Sequence, residues 1–267
     1  MMSELPPAPV PASIALLQCS IVLASACLSC ATALAEEPQV TPYRPTVSNP
    51  AALSAPGWLE LELGWLGSKG GDVRREDSVP YLLKYAFSED WGLLLGGNLY
   101  VRSAAFDGSV EDGYGNTSFT LKHRIPAGNA EFGVELTVNA PADSVGGGKP
   151  DYLVNGIYST GLGPWQIDLN LGATRIGEPD SGAGRVQATW AAACSRALDD
   201  RWGWALEVSG TAQHQASSTQ QFLTAATYSV SRRMVLDVGF ALGLDAAAPD
   251  YQLFAGATML LGQLGPR

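Results

Sequence analysis

The sequence predicts an all-β protein, an antiparallel up-and-down transmembrane β-barrel of about twelve strands with periplasmic termini. Three observations carry this. Apolar and polar residues alternate with period two in segment after segment, the links between segments are short and long by turns, and carboxylates recur midway along the polar faces. Roughly ten or fourteen strands are the alternatives, because an even number returns the chain to its starting side.

Composition agrees. Of 267 residues, 46% are hydrophobic and 16% charged, with 30 glycines and 17 prolines. That balance suits strands and turns better than helices. A formal net charge of −10 offers no basic patch to neutralise phosphates, so no nucleic-acid partner is expected.

The chain opens with one long uncharged run, IALLQCSIVLASACLSCATALA at 14–35. It is long enough for a membrane helix. Its place near the start and its Ala33-Leu34-Ala35 ending before Glu36-Glu37 mark residues 1–35 as an export signal instead, although no Lys or Arg precedes it. Cys19, Cys27 and Cys30 leave with such a signal, and Cys194 remains. With no internal disulfide, stability has to come from hydrogen-bonded sheet or a buried core.

Residues 36–57, EEPQVTPYRPTVSNPAALSAPG, are Pro-rich and aperiodic. They form a periplasmic leading segment for which folding back into the barrel lumen is one option. Residues 58–267 form the barrel. Its strands are expected at 58–66, 78–87, 91–102, 114–125, 131–140 and 151–160, then at 165–175, 185–195, 202–212, 221–230, 234–243 and 251–261. Links at 88–90, 126–130, 161–164, 196–201 and 231–233 are short; those at 67–77, 103–113, 141–150, 176–184, 213–220 and 244–250 are longer and polar. Outer-membrane barrels sort their links in this way, with tight periplasmic turns and longer extracellular loops.

Parity fixes the faces. In WQIDLNLGATR (165–175), Trp165, Ile167, Leu169, Leu171 and Ala173 share one side, and Gln166, Asp168, Asn170 and Thr174 the other. Leu59, Leu61 and Leu63 likewise oppose Glu60 and Glu62, and Leu236, Val238 and Phe240 oppose Asp237. Since a lipid-facing charge is costly near the midplane, the apolar side is assigned to lipid and the polar side to a hydrated lumen. Trp58, Tyr81, Trp91, Tyr100, Tyr152, Trp165, Trp202, Tyr228 and Tyr251 fall near predicted strand ends, as interfacial aromatic girdles do.

Three stretches, RPTVSNPAALSAPGWLELELGW (44–65), SVPYLLKYAFSEDWGLLLGGN (78–98) and GYGNTSFTLKHR (113–124), resemble the outer-membrane transporter family of the phenol meta-cleavage pathway type. The likeness rests on Asn49-Pro50, Ala55-Pro56-Gly57 and Glu60, on Leu83-Lys84-Tyr85 before Asp90-Trp91, and on Gly113, Gly115, Leu121 and Lys122. Asn116, where members often carry Asp, and the LLGQLGPR ending, where barrels usually end on an aromatic residue, depart from the pattern. The resemblance implies an outer-membrane barrel that passes small, aromatic or otherwise apolar solutes.

No catalytic, metal or cofactor motif competes with that reading. His123 and His214 lie far apart, GGGKP (146–150) lacks the leading glycine and Ser/Thr of a phosphate loop, and no G-x-S-x-G occurs. Candidate channel-lining residues are Glu60, Glu62, Lys84, Lys122, Arg124, Glu135, Asp168, Glu207 and Asp237. Six acids against three bases favour cations or neutral solutes over anions. Expected partners are outer-membrane lipid, small-molecule solutes and the barrel-insertion machinery. The rival functions are a non-transporting barrel with ligand- or partner-binding extracellular loops and an outer-membrane lipid hydrolase acting through His123; a soluble periplasmic β-protein is a further alternative.

Overall fold

The computed structural model describes residues 38–71, 73–142 and 148–265; the apolar run at 14–35 lies outside them. Thirteen strands follow in chain order: β1 (Trp58–Gly70), β2 (Val73–Ala86), β3 (Trp91–Ala104), β4 (Val110–Gly113), β5 (Thr117–Ala127), β6 (Ala130–Ala140) and β7 (Asp151–Leu162). Then come β8 (Trp165–Arg175), β9 (Val186–Ala197), β10 (Trp202–Gln213), β11 (Thr219–Ser231), β12 (Met234–Gly243) and β13 (Tyr251–Gln263).

Twelve of these close an antiparallel barrel. Each pairs with its neighbours in sequence, apart from β4, and β13 returns to β1 with Trp58 opposite Gln263. Closure of the twelve leaves the barrel wall without a free edge, so its strands pair on both sides. The first and last strands begin and end at the same rim, that of the short turns.

Two expected loops are partly strand. Residues 67–77 continue the β1–β2 ladder as far as Gly70 opposite Val73, so this hairpin is longer than the apolar alternation predicts. Tyr81 therefore sits mid-strand, opposite Leu63 and Gly97, and not at a rim. Within 103–113, β4 folds back on the upper end of β3, pairing Arg102 with Asp112. The β3–β5 ladder consequently stops at Gly97 opposite Thr117.

Parity places the side chains as the polar and apolar faces require. Leu171 is 71% exposed and Val238 57%, pointing away from the wall into the lipid zone, whereas Glu60 and Lys122 are fully buried on the inside. Alternation is weak in β9 and β2, and each has a local cause. In β9, small residues occupy both faces, with Ala191 and Ala193 inward and Ala188 and Ala192 outward. In β2 the register shifts between Ser78 and Pro80, a bulge that accommodates a residue unable to donate to the ladder.

Aromatic residues mark the short-turn rim. Trp91 stacks on His123 with centroids 4.1 Å apart, and Trp202 meets Tyr228 at 4.9 Å. Arg196 and Arg233 lie over Trp165 and Trp58, holding their charge at the interface while their stems cover apolar surface.

Leu136, mid-strand on the outward face of β6, tests the assignment of faces. Leu136→Arg is expected to destabilise the barrel by about 2–4 kcal/mol in liposomes, the depth-dependent cost of a lipid-facing cation. Chemical denaturation read by tryptophan fluorescence measures it; an unchanged midpoint contradicts an outward position.

Candidate functional site

The lumen wall carries charge where the membrane would otherwise forbid it, and residues 38–57 meet that charge. This segment touches side chains from β1, β2, β5, β6, β7, β8, β10 and β12. A strand-free stretch in contact with walls on all sides of a closed barrel runs through its interior. Its prolines lack a donor, and the remaining backbone amides need acceptors. Inward carboxylates and amides supply them.

Around Glu60 and Glu62 the arrangement is densest. The Thr41 amide donates to Glu60 at 3.0 Å, and the amides of Tyr43 and Arg44 donate to the two oxygens of Glu62 at 2.7 and 3.1 Å. Lys84, opposite Glu60 across the β1–β2 ladder, pairs with both carboxylates at 2.6 and 2.5 Å and donates to the Thr41 carbonyl. Lys122 pairs with Glu135 at 3.1 Å and donates to the Pro50 carbonyl at 2.5 Å. Between these lysines lies the buried Tyr43 ring, with one ammonium 4.0 Å and the other 4.1 Å from its centre, close enough for cation–π attraction in a dry site.

Further along, the Asn49 side-chain amide donates to Glu135, while its backbone amide and carbonyl bond the Asn170 side chain. Asn155 completes the cluster by bridging Glu135 and Asn170. The Ser48 amide donates to Glu207 at 2.7 Å. Ala51 reaches Asp168 indirectly: its amide donates to the Ser159 hydroxyl, which donates onward to Asp168 at 2.5 Å.

Arg44 adds a bidentate bridge, from Nε and a terminal nitrogen to Asp237 at 3.1 and 3.0 Å. Its path explains two glycines. Gly64 and Gly256 are paired across β1–β13, with Asp237 beside Gly256. A Cβ at either position would lie within 2.6–2.7 Å of the guanidinium. Gly133 and Gly92 similarly admit Ala51 and Leu53. Inward glycines thus mark where the segment approaches the wall.

Seven of the nine candidate residues, Glu60, Glu62, Lys84, Lys122, Glu135, Glu207 and Asp237, touch the segment directly. Asp168 does so through Ser159, and Arg124 pairs instead with Glu131 near the short-turn rim. Glu207 has no ion-pair partner among the described residues. Sequence reasoning missed Arg44, Tyr43 and Asn155, and it placed Asn170 on the lumen face and Asn49 in the family likeness without singling out either as a site residue; these types carry no signal until the segment is threaded.

The segment divides the interior. Toward the short turns lies a vestibule of about 810 Å³, lined in part by Gln39, Arg44, Asp168 and Thr227. Toward the long loops are cavities of about 430 and 340 Å³ that share Asn49, Glu135 and Leu153. Leu82, Leu94 and Val47 join polar side chains in lining this upper space.

Removing Glu62 tests the anchoring. Glu62→Ala leaves two amides without acceptors and is expected to loosen the segment by about 3 kcal/mol, the scale of a broken buried pair. Hydrogen exchange across 41–46 should accelerate roughly 100-fold, while Arg124→Ala leaves it unchanged. Equal exchange in both variants contradicts the anchoring.

Solved structures share this architecture. An outer-membrane channel from Pseudomonas putida F1 matches with a TM-score of 0.59 at 16% identity, over 84% of this chain and 100% of that one. The KdgM porin matches with a TM-score of 0.56 at 8% identity, over 76% of this chain and 99% of that one. The NanC porin does so at 0.55 and 6%, over 76% and 100%. At such identities the likeness shows the fold. No curated protein matches the sequence. With its outward apolar band and enclosed polar interior, the chain is a bacterial outer-membrane barrel, and the family model described as "Putative MetA-pathway of phenol degradation" matches residues 68–261, so the chain belongs to that family.

Proposed function

We propose that the protein is a passive outer-membrane channel for small solutes, with aromatic or otherwise apolar molecules as its main cargo, and that it performs no covalent chemistry. The observation that carries this reading is the upper cavity wall, where Leu82, Leu94, Leu153 and Val47 present apolar surface among Asn, Thr, Ser and Gln side chains, with Glu135 and Asp151 the acids there. Sites for small, largely apolar molecules combine a mostly hydrophobic lining with a few placed polar groups. Family membership supports the aromatic preference by the pathway in its description. The candidate residues act here by holding the leading segment and by the field they leave, selecting on size, hydrogen bonding and charge.

On this reading the segment at 38–57 restricts the bore and sets the flux. A second reading, a non-transporting barrel that binds partners through its long loops, draws on the same amide-to-carboxylate stitching, which favours a permanently filled lumen.

Two measurements separate them. In planar bilayers, deleting residues 38–52 is expected to raise single-channel conductance several-fold, since the charged wall then hydrates. A strain lacking the protein is expected to grow more slowly on limiting concentrations of a small aromatic carbon source, with growth restored by the full chain. Unimpaired growth on every aromatic and aliphatic solute tried, together with a silent full-length protein in bilayers, sinks the channel reading.

A further inference from the structure

We infer that the long-loop end of β1–β2 holds a phosphate of an outer-leaflet glycolipid, gripped by Lys69 and Arg75 above a shelf formed by Trp65 and Leu253. The inference rests on the outer-membrane orientation of the barrel and is independent of what the lumen conducts.

The β1–β2 hairpin places Lys69 directly opposite Arg75 across one ladder and opposite Tyr251 across the other. All three are exposed and share the outward face with Trp65. Cations facing each other across a ladder repel, so this register is costly unless an anion lies between them. Asp77 answers part of the need: it takes Nε and one terminal nitrogen of Arg75 at 2.6 and 2.9 Å. That leaves the other terminal nitrogen of Arg75 unengaged by Asp77. Asp77 is also shared, standing opposite Arg102 on β3. Among the described residues, neither Lys69 nor the exposed Arg74 has an ion-pair partner.

These groups surround a groove of about 410 Å³ whose lining includes Trp65, Lys69, Arg74, Arg75, Tyr251 and Leu253. Gly67 keeps its floor low, because a Cβ there would meet the Trp65 ring at 2.5 Å; the indole instead lies flat along the strand. The vertical order matches a lipid. Leu63, Trp65 and Leu253 present apolar surface, Trp and Tyr mark the interfacial level, and the cations stand about 13 Å farther along β1 than Trp65 at the usual strand rise. A doubly charged phosphate with three acceptor oxygens suits a lysine point charge beside a guanidinium edge. The continuous apolar wall beneath selects a phosphate carrying acyl chains over the free ion.

Native mass spectrometry of the purified protein in detergent tests this, with bis-phosphorylated lipid A, dephosphorylated lipid A and inorganic phosphate as separate probes. One bis-phosphorylated lipid A is expected to stay bound, with retention of the dephosphorylated form lower by about fivefold or more, the scale of a lost charge-assisted contact. Lys69→Gln with Arg74→Gln, which leaves the Arg75–Asp77 pair intact, is expected to lower retention comparably, and Lys69→Gln alone in the same direction. Arg185→Gln, a cation elsewhere on the long-loop side, should leave it unchanged. Equal retention of the two lipids, an unaffected Lys69→Gln, or the same loss in Arg185→Gln overturns the site; inorganic phosphate held as tightly as lipid A overturns the lipid.

Discussion

A backbone N–H shut away from water must find an acceptor, and the organisation of this lumen depends on that constraint. The wall meets it by closing on itself, strand to strand, with no free edge. Residues 38–57 have no such ladder, and their amides turn to Glu60, Glu62, Glu207 and the Ser159 hydroxyl. Those carboxylates would be costly to bury alone. Each problem relieves the other: the segment needs acceptors, and the acids need donors. Lys84 and Lys122 complete the balance, each spending one hydrogen bond on a segment carbonyl and at least one ion pair on a wall carboxylate.

This view changes what the inward charges mean. Counted along the sequence, they suggest an acidic bore that repels anions. In place, Glu60, Glu62, Glu135 and Asp237 are engaged by Lys84, Lys122 and Arg44. Of the candidate lumen acids, Asp168, facing the lower vestibule, and Glu207 are left without a cation among the described residues. The field that a solute meets is thus set as much by the leading segment as by the wall.

Period-two alternation made the barrel legible, because a side chain's parity decides whether it meets lipid or lumen, and most strands keep strict parity from end to end. Alternation in Trp165–Arg175 fixed both faces of β8. It failed where a second demand overrode it: Pro80 forces a bulge in β2, and alanines fill both faces of β9. The long-loop end of the β1–β2 hairpin escaped notice since its polar residues, lying beyond the apolar band, look like a loop. The glycines that clear a path for Arg44 could not be read at all. Gly64 and Gly256 are ordinary strand glycines until β13 is laid beside β1, and only then does the gap over Asp237 exist. Long-range pairing of this sort leaves no trace in local spacing.

Residues 38–57 partition the interior, with Gln39 in the lower vestibule and Val47 in the upper cavity. Single cysteines at these positions, in a background with all four native cysteines replaced by Ser, test this when probed with a membrane-impermeant maleimide supplied from one side at a time. Val47→Cys is predicted to react from the extracellular side and Gln39→Cys from the periplasmic side. Labelling of both from the same side at similar rates would contradict it.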